Sequence, residues 1–196
     1  IAELEGLEGG WPLDLREKCR QISFNSEREA LEALFQDIEV LIKARALLLQ
    51  RPVDFPESGL RCQQTRQAVQ RAIETGKPFG IFSFGVSEAK ENITAIRVSG
   101  LSPSSSDDWK HILRYIELHQ QIQSFLARWN QFAEVLSLPI LQGGVGNLRE
   151  IELVARAARN AHRLATHYDG AMSAMAHEVF THPPLAALMG RANDLI

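Results

Sequence analysis

Residues 106–136 read SDDWKHILRYIELHQQIQSFLARWNQFAEVL, thirty-one residues without a proline or a glycine. Large apolar side chains recur in this stretch at spacings of three and four residues: Tyr115, Leu118, Ile122, Phe125, Trp129, Phe132 and Leu136. A second apolar line runs beside the first: Ile112, Leu113, Ile116, Leu126 and Ala133. Such spacing gives a helix one broad apolar face, so we predict the central helix of a bundle. Ser106, followed by Asp107 and Asp108, is predicted to cap its N-terminus.

Two further stretches are predicted to form long helices, at about residues 26–50 and 147–181. The first starts at the capping-box pattern Ser26-x-x-Glu29, whose side chains satisfy free amides of the first turn. It must end before Pro52, because proline lacks the amide hydrogen that a helix requires. The third long helix repeats apolar residues at spacings of three and four, and many of them are alanine.

The helices at 106–137 and 147–181 are expected to pack side by side as an antiparallel hairpin. Alanines on one helix face Phe and Trp on the other, and this pairing of small with large side chains fills an interface. Gly143-Gly144-Val145-Gly146 supplies a flexible turn between the two helices. At about 1.5 Å per residue each arm is roughly 45–50 Å long, so we predict a coiled-coil stalk.

Residues 52–105 contain nine prolines and glycines, which divide this segment into short pieces. A small helical head is predicted here. It comprises a polar helix over Leu60–Thr75, a buried turn over Phe79–Val86 and a helix over Ser87–Ile96. Strand propensity in Phe79–Val86 is noted, but no partner strand is evident in the sequence.

The sequence therefore predicts an all-α protein with a long antiparallel helical hairpin or coiled-coil stalk, a third long helix and a small helical head. Its 196 residues suit a single helical domain. Because the chain begins with Ile1 rather than Met and ends in apolar residues, we expect it to be a fragment of a larger protein.

The overall charge favours no class of partner. The chain has 21 Lys and Arg against 24 Asp and Glu, a formal net charge of −3. A protein held mainly by phosphate contacts usually has a clear basic excess, so any nucleic-acid contact must be local. Cys19 and Cys62 lack metal-type spacing and suit a reducing compartment, and no apolar run approaches the length of a membrane span. We expect a cytoplasmic location.

No catalytic, cofactor-binding or metal-ligating residue is predicted. Histidines and acids crowd the last long helix: His162, His167, Asp169, His177, Glu178 and His182. Their spacing does not match a zinc-binding helix, because His182 follows His177 at the fifth position rather than the fourth. A metal-dependent enzyme is kept only as a third hypothesis. The glycines at 143–146 are too short a run for a dinucleotide loop, and Gly76-Lys77 is followed by Pro78 rather than Ser or Thr.

One segment carries a local basic excess. Arg61, Arg66, Arg71 and Lys77 lie in a polar stretch, residues 61–77, that contains one acid, Glu74. A spacing of five residues spreads the arginines around a helix, which favours a solvated surface over a continuous phosphate track. These four residues are the candidates for weak nucleic-acid contact.

A series of short motifs carries a family resemblance: Lys77-Pro78-Phe79-Gly80, Arg97-Val98-Ser99-Gly100, Pro103, Asp108-Trp109, Arg128-Trp129 and Leu138-Pro139. This succession resembles a stretch in large bacterial superfamily 1 helicase-like ATPases, in which a helical, coiled-coil-rich region is inserted into the P-loop motor. Ser99 stands where asparagine is expected. About 60 residues, from Lys77 to Pro139, carry the resemblance, which implies a parent motor and no activity in this segment.

Two functions are therefore expected. The first is a non-catalytic accessory or insertion domain of a helicase-like ATPase, which positions nucleic acid or a protein partner. The second is a free-standing helical scaffold or protein-interaction domain. Neither requires a cofactor or a membrane, and both are compatible with self-association. Walker-type motifs on both sides of this segment in the full reading frame would distinguish the first from the second.

Overall fold

The computed structural model describes residues 10–20, 25–80 and 86–169 of the chain. The helices are α1 (Trp11–Arg20), α2 (Asn25–Leu49), α3 (Glu57–Arg61), α4 (Gln63–Thr75), α5 (Ser87–Ala95), α6 (Ser106–Leu136) and α7 (Leu148–Arg163). A 3₁₀ turn at Val145–Asn147 precedes α7, and a π-helical turn at Leu164–Asp169 follows it. Two short strands are also present: β1 (Val53–Asp54) and β2 (Arg97–Val98). The predicted predominance of helix is confirmed.

The chain divides into two compact units. Unit 1 consists of the described parts of Ile1–Phe35, Asn130–Ile140 and Leu153–Ile196, and unit 2 consists of those of Gln36–Trp129 and Leu141–Glu152. Helices α2, α6 and α7 each have residues in both units.

Unit 1 has a core rich in leucine and alanine. Leu15 and Leu31 are completely buried, and Ala158 and Ala161 of α7 are equally inaccessible. A lysine links α1 to the end of α6 within this unit. Lys18 of α1 donates to the Val135 carbonyl at 2.7 Å and to Ser137 Oγ at 2.8 Å. A lysine in this position satisfies a carbonyl that the last turn of α6 leaves without a helical partner.

Unit 2 packs the predicted head onto the first half of α6. One buried cluster joins α4, α5, β2 and α6: Ala68, Val69, Ala72, Ile93, Ile96, Val98, Trp109, Ile112 and Ile116. Beneath it, Asn92 of α5 accepts from Ser58 Oγ at 2.7 Å and donates to Thr65 Oγ1 at 3.1 Å. These bonds satisfy an amide that is 4% exposed.

The apolar face of α6 follows the predicted spacing. Five residues of the first line are buried: Leu118, Ile122, Phe125, Trp129 and Leu136. Tyr115 and Phe132 are half-buried. From the second line, Ile112, Ile116, Leu126 and Ala133 are also buried, and Leu113 is half-buried. The width of this buried face is the property expected of a helix at the centre of a bundle.

Within unit 2, α6 runs antiparallel to α2. Asp37 pairs with Arg128 at 2.7 Å, whereas Arg51, just after α2, pairs with Asp108 in the first turn of α6. His111 Nε2 also lies 2.7 Å from the Arg51 carbonyl oxygen. The end of one helix is therefore tied to the start of the other.

The residues between α6 and α7 do not form the simple turn that the sequence suggests. Gln123 donates to the Gly143 carbonyl at 2.6 Å, and a Cβ on Gly144 would lie 2.9 Å from His119 Nδ1. Residues 143 and 144 therefore lie beside the middle of α6 rather than beside its end at Leu136. Leu138 and Leu141 are buried, so this connection is anchored by apolar side chains and is not a free glycine turn.

Three smaller predictions differ in detail from the structure. The cap of α6 is Ser105 rather than Ser106, because Ser105 Oγ accepts from the Asp108 amide and Asp108 Oδ2 accepts from the Ser105 amide. The polar helix predicted over Leu60–Thr75 is broken at Cys62, whose backbone is extended (φ −87°, ψ 111°). The helix predicted over Ser87–Ile96 is confirmed as α5, although it ends one residue earlier, at Ala95.

A two-stranded ladder lies in the segment predicted to be purely helical. Val53 pairs with Val98 and Asp54 with Arg97, antiparallel. The turn after β2 has positive φ at both central residues, 52° at Ser99 and 79° at Gly100, with Val98 and Leu101 bonded across it at 2.8 and 3.1 Å. Two central residues with positive φ are characteristic of a type I′ hairpin turn. Each strand has only two residues, so the alternation of apolar and polar residues that predicts a strand is too short to be recognised in the sequence.

Candidate functional site

Three depressions adjoin one another along α3 and α4 in unit 2, and together we call them the α4 groove. The loop cavity, of about 660 Å³, lies between Leu60, Tyr115 and the loop at 143–147. It shares Leu60, Arg61 and Gln120 with a middle depression of about 380 Å³. The middle depression in turn shares Gln67 and Gln70 with an outer depression of about 480 Å³.

The middle depression is lined mainly by amides and arginines, and the two depressions beside it also contain them. Its glutamines come from α4 and α6: Gln63, Gln64, Gln67, Gln70, Gln120 and Gln123. An aromatic ring lies at each end, Tyr115 in the loop cavity and Phe79 in the outer depression. Tyr115 stacks on Phe55 with ring centroids 6.0 Å apart and planes 17° apart, and Lys90 Nζ lies 5.9 Å from the Phe79 ring centroid.

The wall of the loop cavity depends on close backbone approach. Gly143 has φ 113°, and a Cβ there would come within 2.5 Å of Asn147 Oδ1. A side chain at this position would therefore meet both steric strain and an unfavourable backbone conformation. The turn that follows is closed by a bond from the Asn147 amide to the Gly144 carbonyl at 3.1 Å.

Each of the predicted contact residues has a defined position. Arg61 pairs with Glu57 at 2.6 Å, and its side chain is 78% exposed. Arg66 donates to Gln120 Oε1 at 2.9 Å, and its buried Nε has no hydrogen-bond partner among the described residues. Arg71 packs against Gly80, where a Cβ would lie 2.8 Å from Arg71 Nη2.

The fold brings three of the four predicted residues together. Arg61 and Arg66 line the same middle depression, and Arg71 lines the outer depression that continues from it. Lys77 is exposed beyond the end of α4 and lines none of the three depressions. One continuous helix would place Arg61 and Arg66 on different faces. The break at Cys62 changes the direction of the Arg61 side chain relative to Arg66, so that both line one depression.

Sequence reasoning did not identify the amides, Tyr115 or His119 as site residues. Tyr115 was assigned to the core because it follows the apolar spacing of α6, yet it is half-buried and borders the loop cavity. The repetition of glutamine in α4 and at 120 and 123 was the available signal. Repeated glutamines beside arginines indicate a polar surface that can bind a ligand.

Burial and charge alter the titration of two of these groups. Burial, together with the positive charge of Arg61, lowers the pKa of His119, while Glu57 acts in the opposite direction. His119 is therefore mainly neutral at pH 7. Burial raises the pKa of the Tyr115 hydroxyl, and the Asp54 carboxylate raises it further. Tyr115 thus stays protonated and able to donate a hydrogen bond.

The histidines of the last long helix lie largely outside the described residues. His177, Glu178 and His182 are not described, nor are the side chains of His167 and Asp169. His162 is buried in unit 1, with its ring centroid 5.8 Å from that of Phe35 and Nε2 3.9 Å from Glu32 Oε1. Over the described part of the chain, no three His, Cys, Asp or Glu side chains are grouped as a metal site would require.

Two further features bear on chemistry. Burial raises the pKa of the Cys19 thiol to about 12, so this cysteine is not a thiolate nucleophile at neutral pH. Within the described ranges, no helix has the length and apolar character needed to cross a membrane.

The chain matches no protein-family model, no curated protein sequence and no solved structure.

Proposed function

We propose that this chain is a non-catalytic helical accessory domain of a helicase-like P-loop ATPase, and that its α4 groove positions single-stranded nucleic acid. The observation that carries the proposal is the composition of the groove. Arginines and amides occupy its middle, and an aromatic ring lies at each end. Proteins that hold single strands combine basic groups along the backbone with aromatic rings on which bases stack.

The charges of the groove suit a weak, positioning contact. Three arginines line it, Arg61, Arg66 and Arg71, against two acids, Glu57 and Glu74. One arginine is already paired, since Arg61 bonds to Glu57. The net attraction for phosphate is therefore small, which fits an accessory contact whose strand is held chiefly by a motor.

The long helices complete the proposal as a coiled-coil stalk that carries the groove. In this arrangement α6 and α7 form the antiparallel hairpin, and α2 is the third long helix. We place the parent protein in the cytoplasm, where its nucleic-acid substrate is found. A stalk of this kind acts by positioning a contact and supplies no catalytic group.

The parent motor provides the test. Its full reading frame should carry Walker-type motifs on both sides of this segment. ATPase rates are measured with and without saturating single-stranded nucleic acid, in the parent and in its Arg61→Gln/Arg71→Gln variant. Both arginines are exposed, so the fold should tolerate their replacement. The basal rate should be unchanged and the stimulation reduced. A parent lacking residues 52–105 should lose most of the stimulation.

A matched change at Lys43, which is exposed on α2 and lines none of the three depressions, serves as the control. Lys43→Gln should leave the stimulation intact. Equal stimulation in the parent and in both groove variants would reject the proposal.

A second candidate is a free-standing scaffold or protein-interaction domain. It is favoured by the exposed apolar side chains of α2, where Val40 and Leu47 are 60% and 70% exposed. They lie seven residues apart and therefore on the same face of the helix. A complete reading frame of about this length, together with loss of partner binding or self-association in Val40→Glu/Leu47→Glu, would support this candidate over the first.

A further inference from the structure

We propose that the loop cavity receives one unstacked base of the single strand, while the neighbouring phosphates lie along the middle depression. This inference rests on the proposed function and deepens it, because it assigns the base and the backbone to different parts of the groove. It is carried by the size of the cavity, by the orientation of its amides and by the distribution of its charges.

The size and lining of the loop cavity suit a flat, polar molecule. Its volume of about 660 Å³ lies within the range of sites that bind small ligands, roughly 300–1,000 Å³. Leu60, Tyr115 and Val145 supply apolar surface, and the Tyr115 ring is held in place by stacking on Phe55. A nucleobase needs this combination of an apolar contact for its face and polar contacts for its edge.

Two glutamines on α6 present different groups to the cavity. Gln123 uses its Nε2 to donate to the Gly143 carbonyl, which leaves its Oε1 as an acceptor. Gln120 uses its Oε1 to accept from Arg66, which leaves its Nε2 as a donor. Because the residues are three apart on one helix, the donor and the acceptor are neighbours. The edges of the nucleobases carry donors and acceptors side by side in the same way.

The charges favour a neutral group in the cavity and an anionic group outside it. Glu57 and Arg61 pair at its rim and largely cancel one another, and neutral His119 adds no charge. The next arginine along the groove is Arg66, which lines the middle depression and not the loop cavity. A base in the cavity would therefore place its phosphates near an arginine rather than near Glu57.

The test compares two oligonucleotides of equal length and charge, a single strand of twelve thymidines and a twelve-residue abasic phosphodiester. Fluorescence anisotropy at low salt gives the Kd of the chain for each. The chain should bind the oligonucleotide with bases about ten-fold more tightly, since stacking of even one base has an effect of this order. Gln123→Leu and Tyr115→Leu should each reduce this preference at least about three-fold.

The control is Gln121→Leu, the same change two residues away at an exposed position that lines none of the three depressions. It should keep the full preference. Equal affinity for both oligonucleotides would overturn the base site but leave a backbone contact in the groove. An equal loss of preference in Gln121→Leu and Gln123→Leu would also overturn it. Binding to neither oligonucleotide would overturn the inference together with the nucleic-acid part of the proposed function.

Discussion

Asp108 shows how one side chain joins two helices. Its carboxylate accepts from the amides of Ser104 at 3.0 Å and Ser105 at 2.9 Å, and it also pairs with Arg51 beyond the end of α2. The two backbone amides, more than the hydrogen bond from Arg51, hold the pKa of Asp108 well below its usual value. The ionised form is therefore favoured by the folded state.

We predict that Asp108→Asn lowers the free energy of unfolding by about 1 kcal/mol at pH 7, because it weakens the hydrogen bonds that Asp108 accepts at the N-terminus of α6. The folded pKa is lowered, so the stabilisation is complete above the unfolded value of about 3.9 and is lost as the pH falls toward the folded value. Urea unfolding of both proteins should therefore show a difference that narrows below about pH 4.

The matched control for this change is Asp107→Asn in the same helical turn. Asp107 is 82% exposed and pairs only at 3.5 Å with Lys110, so its replacement should cost less than about 0.5 kcal/mol. A difference between wild type and Asp108→Asn that stays constant from about pH 7 to about pH 2 would contradict the assigned role.

Among the elements, the turn after β2 requires a left-handed backbone conformation at a position occupied by serine. Ser99 has φ 52°, a left-handed conformation that asparagine adopts more readily than serine. Type I′ turns accordingly favour Asn-Gly at their two central positions.

We predict that Ser99→Asn raises the free energy of unfolding by a few tenths of a kcal/mol, up to about 1 kcal/mol. Gly100→Ala should act in the opposite direction, because φ is 79° there, although a Cβ at this position would meet no atom within 4 Å. Thermal unfolding of the two variants provides the measurement. A Ser99→Asn variant that is less stable than the wild type would count against the type I′ assignment.

The loop before α7 provides a second prediction at this scale. Gly143→Ala would place its Cβ 2.5 Å from Asn147 Oδ1 at φ 113° and should destabilise unit 2 by about 1–3 kcal/mol. Gly146→Ala meets no atom within 4 Å and should change stability by less than about 0.5 kcal/mol. Similar unfolding midpoints for the two variants would show that the loop does not have the conformation described, in which Gly143 has positive φ and lies against Asn147.

For the whole molecule, the net charge and the local charge have opposite signs. The chain carries −3 overall, yet three arginines line the α4 groove. If the groove holds a single strand as proposed, long-range attraction is weak, and the salt dependence of its binding should reflect the arginines that line the groove.

We predict that the logarithm of the affinity for single-stranded DNA falls linearly with the logarithm of the salt concentration, with a slope of about −2. This slope corresponds to one phosphate contact for each of the three arginines, at roughly 0.7 per contact. Arg71→Gln should make this slope shallower by about 0.7, and Lys43→Gln, which changes the net charge equally, should leave it as it is. The measurement is a titration from about 25 to about 200 mM salt. Equal slopes in the two variants would contradict a contact through the groove.

The sequence by itself determined two long helices. The bounds of α2 and α6 and the buried face of α6 agree with the apolar spacing and the positions of the prolines, because these signals act between residues a few positions apart. The helices and strands between residues 52 and 105 are short for the same reason, because glycine and proline interrupt regular structure at their own positions. The local basic excess was also visible before the fold was known.

Only the tertiary structure decided how these pieces meet. Arg66 and Gln120 are 54 positions apart, and no periodicity relates them, yet their bond fixes which amide group faces the groove. The loop at 143–147 lies beside the middle of α6, where Gln123 donates to the Gly143 carbonyl and Leu141 is buried. Its glycines alone predicted a flexible turn. Contacts between distant residues depend on the packing of the whole unit, and local sequence does not encode them.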